Sequence, residues 1–187
     1  MTGHREKRKL ATRRAIVRAG LALFAEEGYT RTTLAMIATK ADVSLRTVSV
    51  YFPHKIDIAV APLDAILERL HHHLEATTGD AFEALESFLK GEVQIEDETG
   101  DDLVRRALAD NPVLRVRQEE KLFEGADWLA RRIARDSNLT EPGTRERLLA
   151  TASLAMILEL WSGRHLADQA QDIPAAIALL RAAALQE

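Results

Sequence analysis

Residues 33–53 read TLAMIATKADVSLRTVSVYFP. Leu34, Ile37, Ala38 and Ala41 fall on one face of a helix, and Val48 and Phe52, four apart, fall on one face of another. Thr33 and Ser44 stand where these helices begin, where a short hydroxyl side chain accepts an N–H that the first turn leaves unpaired. Met36 occupies the position at which a capping box would carry Glu or Gln, so Thr33 caps alone. Asp42-Val43 makes the turn between the two helices, and Pro53, lacking an N–H, ends the second at about Tyr51. Upstream, Ile16, Val17, Leu23 and Phe24 recur at helical spacing between Lys9 and Glu27, and Gly28-Tyr29 supplies the stop. Three short helices, the last two joined by a turn of about three or four residues, form a helix-turn-helix pattern.

With Val48 and Phe52 turned inward, Arg46, Thr47, Ser49 and Val50 are left on the outer face of the third helix. The charge of the chain is divided in the same place. Residues 1–57 carry 11 Lys/Arg against 5 Asp/Glu, whereas residues 58–187 carry 14 against 24. The N-terminal part favours a polyanion and the remainder does not. Arg5, Lys7, Arg8, Lys9, Arg13 and Arg14 form a basic arm that either neutralises phosphates, reaches a minor groove or solubilises a disordered tail.

Downstream the pattern stays helical. A fourth helix from Lys55 towards Thr77 carries the stripe Ile58, Leu63, Ile66, Leu67, Leu70 and Leu74 and links head to body. Further helices are expected over 80–92, from Asn111-Pro112 to about Asp136, from Glu141-Pro142-Gly143 onward, and over 173–185. Residues 96–102, an acidic loop, are expected to cap a short helix through Asp101 or Asp102. Of the last two helices, one is apolar most of the way round, with Leu148, Leu149, Leu154, Ala155, Ile157, Leu158 and Trp161, and the other repeats the pattern. Such helices need more than one partner. Leu154, Ile157, Leu158, Ile177 and Leu180 are the candidate subunit interface.

Composition sets the remaining bounds. Sparse glycine, proline and aromatic residues argue for an all-α fold. The absence of cysteine excludes disulfide scaffolds, zinc fingers and thiol chemistry. No phosphate loop, Gly-x-Ser-x-Gly elbow or clustered His/carboxylate signature points to an enzyme, and no cofactor is expected. His71-His72-His73 does not read as a metal site, because consecutive helical residues point about 100° apart. The N-terminus lacks the apolar run of a signal peptide, and no stretch approaches the roughly 20 apolar residues of a membrane span, so a cytoplasmic protein without a membrane partner is expected.

Ile16-Val17, the run from Leu23-Phe24 to Gly28-Tyr29, Thr32-Thr33, Ile37-Ala38, Ala41-Asp42-Val43-Ser44, Thr47, Tyr51-Phe52 and Lys55 resemble the head of tetracycline-repressor (TetR) family regulators. The resemblance covers residues 12–58. It departs from the pattern at Asp42, where a turn glycine is usual, and at Ser49, where an aromatic residue is often found. Asp tolerates a left-handed backbone, and Ser49 alters the contacts open to that position. The resemblance implies an all-α protein of about nine helices. A three-helix DNA-binding head, residues 1–54, would be joined to a helical effector-binding and dimerisation body, residues 55–187.

The head residues expected at DNA are Thr33, Ser44, Leu45, Arg46, Thr47, Ser49, Val50, Tyr51, His54 and Lys55. Thr33 and Ser44 offer hydroxyls and free N–H groups at helix N-termini, or only cap. Arg46 either reads a guanine edge or binds phosphate, and Leu45 and Val50 either meet thymine methyls or pack at the edge. In the body, Leu67, His71, Leu74, Phe88, Leu122, Phe123, Trp128 and Trp161 either line a largely apolar effector pocket or form ordinary core. The function implied is that of a homodimeric repressor released from a palindromic double-stranded DNA operator by a small molecule. The alternative is a ligand-independent or activating regulator whose body only dimerises.

Overall fold

The computed structural model describes residues 2–93, 103, 106–107, 111–163 and 171–185. Among them are eight helices and no strand, close to the nine expected: α1 (Thr2–Glu27), α2 (Leu34–Lys40), α3 (Leu45–Tyr51), α4 (Lys55–Ala76), α5 (Ala81–Glu92), α6 (Pro112–Asp136), α7 (Thr144–Gly163) and α8 (Ile173–Leu185). The acidic loop 96–102 and the side chains of Leu158 and Trp161 lie outside the described residues. No helix among the described residues is long and apolar enough to cross a membrane.

The described residues fall into two compact units, one within residues 1–64 and 97–118, the other within 65–96 and 119–187. In the first, Ile16, Leu21, Phe24, Ile37, Val48, Phe52 and Ile58 are buried together, joined by Ala107 and Leu114. Gly20 lets α1 approach α4 closely, since a Cβ there would lie 2.5 Å from the Ile58 side chain. Gly28 ends α1 with φ 84°, and Asp42 makes the α2–α3 turn with φ 53°, the left-handed backbone for which glycine is usual. One expectation changes here: α1 begins at Thr2 rather than Lys9, so the basic arm is helix and not tail.

In the second unit, Ile66, Leu70 and Leu74 of α4 meet Phe82, Leu85, Phe88 and Leu89 of α5, Leu129 and Ile133 of α6, Leu154 and Ile157 of α7, and Ile173 and Ile177 of α8. Asp80 and Glu83 cap α5 reciprocally, each side chain accepting a backbone N–H of the other's residue. The α4–α5 corner is organised by Arg132, which is buried. Its guanidinium donates to the carbonyls of Leu74, Thr77 and Gly79 and pairs at 3.1 Å with Asp136, whose other oxygen accepts the Ala81 N–H at 2.6 Å.

Candidate nucleic-acid interface

The presenting element is α3, a helix of 7 residues held at both ends. The Ser44 Oγ accepts the Thr47 N–H at 3.0 Å and shares a hydrogen bond with the Thr47 hydroxyl at 2.8 Å. Val48 and Phe52 pin the helix to the core at 0% and 3% exposure. Because the inner face is fixed, the outer face is determined: Leu45, Arg46, Ser49 and Val50 are exposed, Val50 at 74%. Helix α2 is set against α3 in the same way, with Ile37 and Ala38 buried and the Thr33 Oγ1 accepting the Met36 N–H at 3.2 Å. Thr33 is exposed and Thr47 and Tyr51 are half-buried, so the hydroxyls of both caps lie at the surface that also carries Arg46.

Lys55, expected at DNA, turns its ammonium onto the head itself. Its Nζ donates to the carbonyls of Tyr29 at 2.5 Å and Thr32 at 2.8 Å and lies 4.2 Å from the centre of the Tyr29 ring. Burial holds its ammonium below the usual lysine value. Burial, followed by the negative charge of Asp57, pushes the Tyr29 phenol up. Lys55 thus ties the start of α4 to the segment between α1 and α2. Thr32, buried beside it, donates its hydroxyl to the Gly28 carbonyl at 2.9 Å. The exposed His54 gives its backbone N–H to Asp57 at 3.0 Å, so Asp57 caps α4. Asp57 was legible as an acid three residues into a helix, and Thr32 only as a polar residue beside the cap.

In the body, Leu67, Leu74 and Phe88 are buried, and Leu122 packs against the same core. The His71 ring lies 4.6 Å from that of Trp128, while His73 bonds Ser87 at 2.6 Å and faces Phe88, and His72 is exposed. The three imidazoles therefore point to different partners. Phe123, expected at the pocket, is 69% exposed and points to solvent. Leu154, Ile157, Ile177 and Leu180, expected between subunits, lie in this unit's own core. Among the apolar residues left outside on the same helices are Leu148, Ala152 and Ala155 of α7 and Ala175, Leu179 and Ala182 of α8. Periodicity identified the two helices but not which side of each the core would take.

A short capped helix projecting an arginine from a basic three-helix head, followed by an all-helical body, defines a helix-turn-helix protein. Residues 16–61 match the family "Bacterial regulatory proteins, tetR family". Over 73 residues the chain is 36% identical to the HTH-type transcriptional regulator TcmR of Streptomyces glaucescens, a match spanning 39% of this chain and 32% of that protein. The chain thus matches about a third of the length of that curated relative. The fold is shared with solved regulators. Bacillus subtilis FadR in complex with stearoyl-CoA has a TM-score of 0.61 at 22% identity, covering 89% of this chain and 96% of that one. The SmeT–triclosan complex, SmeT being the repressor of a Stenotrophomonas maltophilia multidrug efflux pump, has 0.61 at 23%, covering 92% and 91%. Salmonella enterica GusR has 0.63 at 22%, covering 91% and 92%. Residues 16–61 thus resemble the tetR family of bacterial regulatory proteins, and the chain shares the fold of these solved regulators.

Proposed function

We propose that this protein is a cytoplasmic, homodimeric transcriptional repressor that binds a palindromic DNA operator through residues 1–54 and is released when a small, largely apolar effector binds within residues 55–187. It is a binding protein and not an enzyme. The observation that carries the reading is the outer face of α3, where Arg46, Ser49 and Val50 stand exposed on a helix pinned by Val48 and Phe52. An arginine so placed discriminates a guanine by roughly 1–3 kcal/mol when it bonds both acceptors of the base edge. The ligands named for two proteins of this fold, stearoyl-CoA and triclosan, are rich in apolar surface, which fits a body with an apolar interior in which the His71 ring lies against that of Trp128.

The interface we assign to the dimer is the outer face of α7 and α8. Leu148, Ala152 and Ala155 recur at i, i+4 and i+7, as do Ala175, Leu179 and Ala182, leaving Leu148 66% and Leu179 73% exposed. The two alanines that accompany the one leucine of each stripe let helices approach closely, and a two-fold axis presents the same patch from each copy.

The second reading, a body that only dimerises, is favoured by the close packing at Gly125. A Cβ there would lie 2.7 Å from a Leu67 methyl and 3.1 Å from a Leu154 methyl. Both readings meet one experiment. Full-length protein is titrated against its own upstream DNA and a scrambled duplex, with and without triclosan or stearoyl-CoA, beside Arg46→Ala. Preference for the upstream duplex that Arg46→Ala removes supports the regulator. Equal affinity for both duplexes overturns it, and binding that persists unchanged with either ligand favours the second reading.

A further inference from the structure

The end of α3 is fastened to α1 by a contact that the helix-turn-helix pattern does not predict. The Arg13 guanidinium lies 5.1 Å from the centre of the Phe52 ring, within the roughly 6 Å over which a cation is attracted to an aromatic face. Phe52 is the residue that closes α3. Its N–H bonds the Val48 carbonyl at 2.8 Å, and its side chain is buried. Arg13 is half-buried against it, whereas the adjacent Arg14 is exposed. Just before Arg13, Thr12 lines an open cleft with Tyr51 of α3 and with Arg5, Arg8 and Lys9 of α1.

The core anchors of α3 oppose rolling least. Val48 and Phe52 lie one turn apart on a single line of the helix, and two anchors on one line resist sliding better than rotation about it. A roll of about 10° moves a side-chain tip about 6 Å from the helix axis by about 1 Å. That displacement spoils a bidentate bond to a base edge, whose donor and acceptor must stay within a few tenths of an ångström. A guanidinium stacked on the Phe52 ring opposes the roll, because α1 is held independently through Ile16, Leu21 and Phe24 in the same core. Lys55, 4.2 Å from the centre of the Tyr29 ring, fastens the start of α4, so the segment between α3 and α4 is held at both ends.

We propose that Arg13 is a positioning residue for base reading. Stacked on Phe52, it holds the end of α3 at the angle that aims Arg46, and it makes no contact with DNA itself. The proposal rests on the DNA-binding reading of the head. Loss of Arg13 lowers specific binding by reducing the fraction of protein in which α3 is correctly set, and leaves sequence-independent binding as it was.

Full-length wild type, Arg13→Gln, Arg13→Lys, Phe52→Leu and Arg13→Gln/Phe52→Leu are titrated by fluorescence anisotropy against the upstream duplex and a scrambled duplex of equal length across a salt series. Circular dichroism melts verify folding. Arg13→Gln is expected to lower affinity for the upstream duplex by about two- to fivefold, the worth of one stacked cation, with affinity for the scrambled duplex and both salt slopes as in wild type. In the Phe52→Leu background the same substitution is expected to have no effect, since the ring it acts through is gone. Arg13→Lys keeps a cation over the ring and retains the preference, an arm that does not depend on the folding of Phe52→Leu. An unchanged preference in Arg13→Gln overturns the proposal, as does an equal loss in Arg13→Lys or an undiminished effect without the ring. A salt slope flattened by about 0.9 on both duplexes makes Arg13 a phosphate contact and also overturns it. Failure of the wild type to prefer the upstream duplex removes instead the reading beneath it.

Discussion

At the scale of the residue, position on a helix face decides what a side chain does, and type alone misleads. Arg46 and Lys55 are both cations of the head, nine residues apart. Arg46 is left outside because Val48 and Phe52 occupy the inner face, whereas Lys55 turns back onto two carbonyls and an aromatic ring. Helical phase made the first legible. The second was hidden, because the carbonyls it meets belong to residues 23 and 26 positions earlier. Lys55→Met leaves both carbonyls without a donor. It is expected to lower stability by about 1–3 kcal/mol in urea unfolding. It should leave the salt dependence of DNA binding as steep as in wild type, whereas removal of a phosphate contact flattens that slope by about 0.9.

At the scale of the element, caps and stops were readable because they are local. Thr33 and Ser44 each accept the N–H three residues on, and Asp42 takes the left-handed turn backbone at φ 53°. The start of α1 was not readable in the same way. Residues 2–8 carry no apolar stripe, so periodicity is silent, yet helix-forming Arg, Lys and Glu continue the helix to Thr2. Arg132 shows a different limit. Nothing in α6 marks it out from the adjacent Arg131, which is exposed and pairs with Asp127 at 2.8 Å and Glu141 at 3.2 Å. Arg132, one position on, is rotated into the α4–α5 corner, where it holds three carbonyls and Asp136. Arg132→Met is expected to cost about 2–4 kcal/mol, read as a lower urea midpoint at unchanged slope, because it strands carbonyls inside. Arg131→Met should cost no more than about 1 kcal/mol, as exposed pairs do.

At the scale of the whole molecule, the division of charge between residues 1–57 and 58–187 matches the division of tasks. On the proposed function, the excess of cations lies in the part that would meet DNA, and an acidic remainder, repelled by a phosphate backbone, would favour approach by the head. Association belongs to this scale as well. The outer face of α7 and α8 presents Leu148 and Leu179 at 66% and 73% exposure, a state that a second copy would relieve. Leu148→Glu/Leu179→Glu is expected to turn a dimer into a folded monomer in analytical ultracentrifugation and to weaken operator binding by at least tenfold, since one head then contacts one half-site. A double variant that sediments as wild type would place the interface elsewhere. Truncating Leu154 to Ala instead opens a cavity in the core and should lower stability by about 2–5 kcal/mol without separating subunits.

The sequence by itself determined the helical class, the three-helix head, the caps, the turn and the outward side of α3. Each of these follows from spacing within a single helix or from the chemistry of one helix end. Tertiary structure alone decided that α1 carries its basic face to Tyr51 and that Lys55 faces inward. It also decided that Arg132 is buried and Arg131 is not, and that Leu154, Ile157, Ile177 and Leu180 serve the monomer's core. The physical reason is common to all four. Local periodicity specifies that a helix has an apolar face, but which partner covers that face depends on contacts between residues far apart in the chain, whose geometry exists only once the helices have packed.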